Sequence, residues 1–160
     1  KALMTPHGGF RHPITSESFL QEDFGNGIVR APKDTLIDGM AVLTFAISRP
    51  PKSIQQLIDD YNIDVNTDID YFLIHQANKL IVDRVVKKLH LPVEKVPYDL
   101  EEFGNLGGAS IPSLMVTRIA NALRSNAPTK MLCSSFGLGL SWGTMLLTVN
   151  NVVVPDLIEI

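Results

Sequence analysis

A four-residue apolar run, Tyr71-Phe72-Leu73-Ile74, delivers a histidine, His75, to the start of a segment with helical spacing, and few patterns constrain a chain more. The run has strand composition and ends at His75. From Lys79 to His90, Leu80, Ile81, Val82, Val85, Val86 and Leu89 form one face, while Asp83, Arg84, Lys87 and Lys88 form the other. That pattern predicts a surface helix packed on a sheet. Asn78 is placed to cap its first turn and Pro92 follows its end. His75 then sits near the helix's positive end, which favours neutral imidazole over imidazolium.

With 160 residues, 45% of them hydrophobic, the chain can bury a core without disulfides or metals, and one compact domain is expected. It begins with Lys1, and no secretory signal precedes the first apolar segment, so a fragment of a longer protein is expected. No apolar run approaches the roughly 20 residues needed to span a bilayer, and the lone Cys133 excludes an internal disulfide. These features predict a soluble protein of the reducing cytoplasm. A net charge of −3, with no cationic stripe interleaved with aromatics, argues against nucleic acid as a partner. Neither a metal nor a cofactor is expected.

Around this unit the remaining elements take their places. Residues 1–18, with Pro6, Gly8, Gly9 and Pro13, read as an irregular connector, and its His7 and His12 receive no chemistry. Asp34 to Ser48 is apolar enough for a buried helix stopped by Pro50-Pro51, after which Ser53 is expected to cap a shorter amphipathic helix. Asn62 to Asp70 resembles a calcium loop only superficially. Counted from Asp64, the sixth position is Ile69 instead of glycine and the twelfth is His75 instead of a bidentate glutamate, so a solvated turn is expected.

A second unusual stretch, Glu102 to Ser110, is a glycine-rich loop leading into a helix over 111–126, with Ser110 as its cap and Pro112 in its first turn. Thr129–Phe136 and Leu140–Val149 read as strands joined by a tight Gly137-Leu138-Gly139 connection. Because that glycine run leads into a strand, a dinucleotide site is rejected. Residues 150–160 form an apolar tail able to extend an edge strand.

His75, Asn105 and Cys133 invite a Cys-His-Asn catalytic set, but Cys133 lies inside Lys130-Met131-Leu132-Cys133-Ser134-Ser135, a run that reads as buried strand. A nucleophilic thiol needs a depressed pKa, so Cys133 reads as core packing. His75 and Asn105, at the ends of elements, survive this test.

Four ordered stretches, His75-Gln76-Ala77-Asn78, Gly104-Asn105, Ala109-Ser110-Ile111-Pro112 and Phe136 to Gly143, resemble the 3-oxoacyl-acyl-carrier-protein synthase III family. The likeness extends to Gly8-Gly9 and to Asp38-Gly39-Met40-Ala41-Val42. It implies the C-terminal half of a thiolase-like α/β fold, a layered mixed sheet with helices. Residues 1–33 would connect from an N-terminal half and 34–160 would form the C-terminal domain.

The resemblance implies catalytic roles for His75 and Asn105, with the nucleophilic cysteine in the N-terminal half. It implies decarboxylative Claisen condensation of an acyl-CoA starter with malonyl-acyl carrier protein in fatty acid biosynthesis, by an enzyme that is a homodimer at full length. Gly104, Leu106, Gly107, Phe136, Gly137 and Gly139 would contact substrate, and Lys79, Arg84, Lys87 and Lys88 would meet the acidic carrier protein. Those four cations read equally well as a solvated helix face. After Asn105 this chain has Leu106-Gly107-Gly108 where the family has small hydroxyl residues, and Leu80 where many members have arginine. The alternatives are a related condensing enzyme of secondary metabolism, making a polyketide or an aryl polyene, and a non-catalytic binding module with the same fold.

Overall fold

The protein is described by a computed structural model covering residues 2–25 and 27–158. The expectations for 1–33 and 150–160 therefore include Lys1, Asn26, Glu159 and Ile160, which lie outside the described residues. The chain divides into two compact units, residues 1–44 with 138–140, and residues 45–137 with 141–160.

The first unit is built from two short antiparallel ribbons. β1 (Leu3–Met4) pairs with β4 (Leu36–Ile37), and β2 (Glu22–Asp23) pairs with β3 (Val29–Arg30). The loop histidines engage locally, with His7 Nδ1 2.9 Å from Ser18 Oγ and the two imidazoles stacked at 5.9 Å. α1 (Gly39–Ala46) then leads out of this unit into the second.

The expected helix over 34–48 is thus shorter. Asp38 accepts a hydrogen bond from the Ala41 N–H at 2.9 Å and starts α1 after β4 has claimed Leu36 and Ile37. It is also not buried: Met40 is 71% exposed, and only Ala46 is enclosed. A second correction concerns the prolines. α2 (Arg49–Asp60) contains Pro50 and Pro51 in its first turn, where no intrahelical N–H is required, so the pair opens a helix and Ser53 lies inside it.

A three-stranded mixed sheet organises the second unit. β5 (Tyr71–Ile74) runs parallel to the central β6 (Thr129–Gly137), which forms an antiparallel hairpin with β7 (Ser141–Val149). α3 (Lys79–Leu89) follows β5, and α4 (Leu100–Phe103), α5 (Ser110–Thr117) and α6 (Ala120–Arg124) complete the crossover to β6. Leu73, Met131 and Cys133 from one face of the sheet form a core with Leu114, Ile119 and Leu123 of the α5–α6 region. Period-two alternation sends Phe72 and Leu132, both fully buried, to the opposite face, and α2 packs against β6, β7 and α3.

The expected cap of α3 is present, Asn78 Oδ1 accepting from the Ile81 N–H at 2.9 Å. The expected helix over 111–126 is instead two. Thr117 turns its hydroxyl back to the Ser113 carbonyl, the Ile119 N–H reaches Leu114 O, and the chain restarts at Ala120. Ser110 is the first residue of α5, not its cap. The tail forms no strand among the described residues. Asn151 and Val152 donate to Ser125 O and Leu123 O, and Arg124 binds Val154 O and Asp156.

The 62–70 turn has a physical reason to reject a cation. Lys95 Nζ donates to Asn66 O at 2.7 Å and to Ile69 O at 2.6 Å, filling the carbonyl positions that a metal would want, while Asp64 and Asp68 bond backbone N–H groups of the turn itself. A backbone hydrogen bond from Asn66 holds the Asp64 carboxyl below its ordinary pKa. Replacing Lys95→Met should lower stability by about 1–3 kcal/mol and raise amide exchange in residues 64–69, measured by urea unfolding and hydrogen exchange. Unchanged exchange there would contradict the tether.

Candidate active site

Parallel strands end on the same edge of a sheet, and in open α/β sheets ligands bind at that carboxyl edge. β5 ends at Ile74 opposite Ser134, and the ladder continues one residue further as the His75 N–H donates to Ser134 O at 2.9 Å. Two residues on, β6 carries Phe136. The rings of His75 and Phe136 meet edge to face, with centroids 4.9 Å apart and planes at 90°. Phe45, from the end of α1, stands edge-on to both Phe136 (6.1 Å) and Trp142 (5.5 Å), so the imidazole backs onto an aromatic group.

His75 is only 6% exposed, and burial lowers its pKa from the ordinary 6.5. The expectation of a neutral imidazole therefore holds, with burial as its cause. Nδ1 is enclosed and has no hydrogen-bond partner among the described residues. The next residue, Gln76, is fully buried, and its Nε2 donates to Ile74 O at 2.8 Å.

Asn105 lies in the loop between α4 and the glycine-rich turn before α5. Gly104 has φ +65° and ψ −159°, a conformation open essentially to glycine alone, and Gly107 has φ +57°. The Asn105 Oδ1 accepts from the Gly107 N–H at 3.0 Å, which leaves the amide NH₂ as the outward donor. Among the described residues no hydrogen bond joins His75 to Asn105. Asn105, Leu106 and Gly107 are exposed, and Gly104 is partly covered. Phe136 and Gly137 close β6 beside His75, whereas Gly139, with φ +136°, belongs to the hairpin tip in the first unit.

Cys133 is buried opposite Leu73 and Met145 in the sheet, and burial pushes its thiol up to about 11. It packs in the core and has no thiolate chemistry near neutral pH. The four candidate docking cations divide. Lys79 Nζ sits 3.6 Å from Glu101 and 5.4 Å from the Tyr98 ring centroid, and Lys88 donates to Ile47 O at 3.1 Å. Arg84 and Lys87 are exposed and have no ion-pair partner among the described residues. Lys79 and Lys87 also flank a groove of about 880 Å³ between α3 and residues 93–98, floored by Val82, Val86 and Val96.

The sequence carries no signal of two of these contacts: the ring partners of Phe45 lie some ninety residues further along the chain, and the bond from Gln76 to Ile74 O depends on where β5 ends. No group of three or more metal-ligating side chains occurs among the described residues, and no described helix is long and apolar enough to cross a membrane.

Because the folded site binds the His75 proton less readily than the unfolded chain, stability from this group is complete above pH 6.5 and is lost as pH falls through the lower folded value. From about pH 7 to about pH 5 the urea midpoint of the wild type should therefore fall faster than that of His75→Gln. Parallel curves would contradict a buried neutral imidazole.

The family model for the 3-oxoacyl-[acyl-carrier-protein] synthase III C terminal matches residues 61–149. A beta-ketoacyl-[acyl-carrier-protein] synthase III from Streptococcus pneumoniae is 42% identical over 114 residues, covering 71% of this chain and 35% of the relative. The chain thus spans about a third of the length of the curated relatives it matches. Among solved structures, a 3-oxoacyl-(acyl-carrier protein) synthase from Burkholderia xenovorans superposes with a TM-score of 0.80 at 30% identity, over 97% of this chain and 42% of that one. The priming beta-ketosynthase of a polyketide biosynthetic pathway gives 0.61 at 28% identity, over 72% of this chain and 34% of that one. The layered mixed sheet is that of the thiolase-like synthases, and the chain belongs to the 3-oxoacyl-acyl-carrier-protein synthase III family as its C-terminal part.

Proposed function

We propose that this chain is the C-terminal half of a cytoplasmic, homodimeric condensing enzyme that joins an acyl-CoA starter to malonyl-acyl carrier protein in fatty acid biosynthesis. The N-terminal half supplies the nucleophilic cysteine. The starter acyl group passes from coenzyme A to that cysteine as a thioester. Malonyl thioester then loses carbon dioxide, and the electron pair of the broken C–C bond forms an enolate whose charge develops on the thioester oxygen. His75 and Asn105 donate hydrogen bonds to that oxygen. The enolate carbon attacks the acyl-cysteine carbonyl, and the cysteine thiolate leaves.

The observation that carries this reading is the neutral imidazole held at the carboxyl edge of β5, because a neutral N–H stabilises developing charge without giving up its proton. The Asn105 amide, its oxygen tied to Gly107, presents the second donor. Gly104, Leu106, Gly107, Phe136 and Gly137, all of the second unit, are the substrate contacts in this reading. Arg84 and Lys87, without an ion-pair partner among the described residues, are the cations for an acidic carrier protein, with Lys79 beside them, whereas Lys88 anchors α3 to Ile47. Likeness to a polyketide priming synthase supports a second reading with the same chemistry in secondary metabolism.

In the full-length enzyme, His75→Ala or Asn105→Ala should lower malonyl decarboxylation by about 10²–10³ while leaving self-acylation by acyl-CoA largely intact. Radiolabelled carbon dioxide release measures the first and intact-protein mass the second. Unchanged decarboxylation would remove both residues from the chemistry. Arg84→Glu with Lys87→Glu should raise KM for malonyl-acyl carrier protein and flatten its salt dependence, without lowering thermal stability. An unaltered salt dependence would identify the helix face as merely solvated.

A further inference from the structure

The peptide group that carries His75 is held at both of its polar ends. Its N–H donates to Ser134 O at 2.9 Å, and its carbonyl, Ile74 O, accepts from Gln76 Nε2 at 2.8 Å. A backbone carbonyl can only accept, so the amide group facing it must be the NH₂, and this fixes the orientation of the Gln76 side chain. Gln76 is fully buried, and its Oε1 has no hydrogen-bond partner among the described residues.

We infer that Gln76 is a positioning residue for His75: its amide locks the Ile74–His75 peptide plane and thereby the direction in which the imidazole leaves the strand. A buried amide satisfied at one end only is a poor choice for stability, since an apolar side chain of equal volume leaves no orphan oxygen. The bond to Ile74 O is what such a residue contributes here. β5 ends at Ile74, so no ladder partner holds the plane beyond Ser134, and the imidazole would otherwise swing about the free carbonyl side. The edge-to-face contact with Phe136 holds the ring, while Gln76 and Ser134 hold the backbone that delivers it. This role rests on the proposed use of His75 as a hydrogen-bond donor.

The test combines nuclear magnetic resonance with kinetics, both on the full-length enzyme. In the wild type one Gln76 Nε2 proton should be protected from exchange and show a through-hydrogen-bond coupling to the Ile74 carbonyl carbon. In Gln76→Met, and in Gln76→Glu should the first variant not fold, the His75 ring protons should lose the shift imposed by Phe136. In the enzyme, kcat for condensation should fall on the order of 10²-fold while KM for the acyl starter stays put. A rapidly exchanging Gln76 amide in the wild type would overturn the inference, as would unshifted His75 resonances in a folded variant. If the resonances move while His75→Ala leaves kcat unchanged, Gln76 still positions the ring and it is the catalytic role of His75 that fails.

Discussion

The parallel pairing of β5 with β6 is the constraint on which the rest of the site depends. Parallel strands finish at one edge, so the register that sets Ile74 opposite Ser134 also brings His75 and Phe136 to the same side of the sheet. An antiparallel pairing would have put these rings at opposite ends. Parallel pairing requires a long crossover, and here α3, α4, α5 and α6 supply it, with the Asn105 loop falling between α4 and α5. One topological choice thus delivers the histidine, orders its ring neighbour and gives the asparagine its place in the chain.

Burial then acts on two titratable groups with opposite consequences. The Cys133 thiol, pushed up to about 11, keeps its proton and loses its nucleophilicity. The His75 imidazole, pushed down, also stays neutral, but neutrality is what a hydrogen-bond donor to an enolate oxygen needs. The same low-polarity surroundings disqualify one member of the apparent Cys-His-Asn set and suit another. Under the proposed reaction, the acyl-accepting thiol is then one other than Cys133, the lone cysteine of these 160 residues.

Where the signal was local, the sequence was legible. The strand at 71–74, the Asn78 cap of α3 and the 129–149 hairpin all follow from periodicity and turn residues within a few positions. Distant partners decided the rest. Leu36 and Ile37 left the expected helix because Leu3 and Met4 pair with them, more than thirty residues away. Pro50-Pro51 opens α2 instead of stopping the helix before it, and composition does not separate the two roles. The break at Thr117 depends on a hydroxyl turned back onto Ser113, and the contact of Gln76 appears only once β5 has ended beneath it.

The claim that His75 and Asn105 serve a thiol from outside this chain is tested most directly by locating the acyl group. Full-length enzyme incubated with a panel of acyl-CoAs and mapped by peptide mass spectrometry should carry the acyl group on a cysteine outside residues 1–160, with Cys133 unmodified. An acyl group on Cys133 would contradict the account.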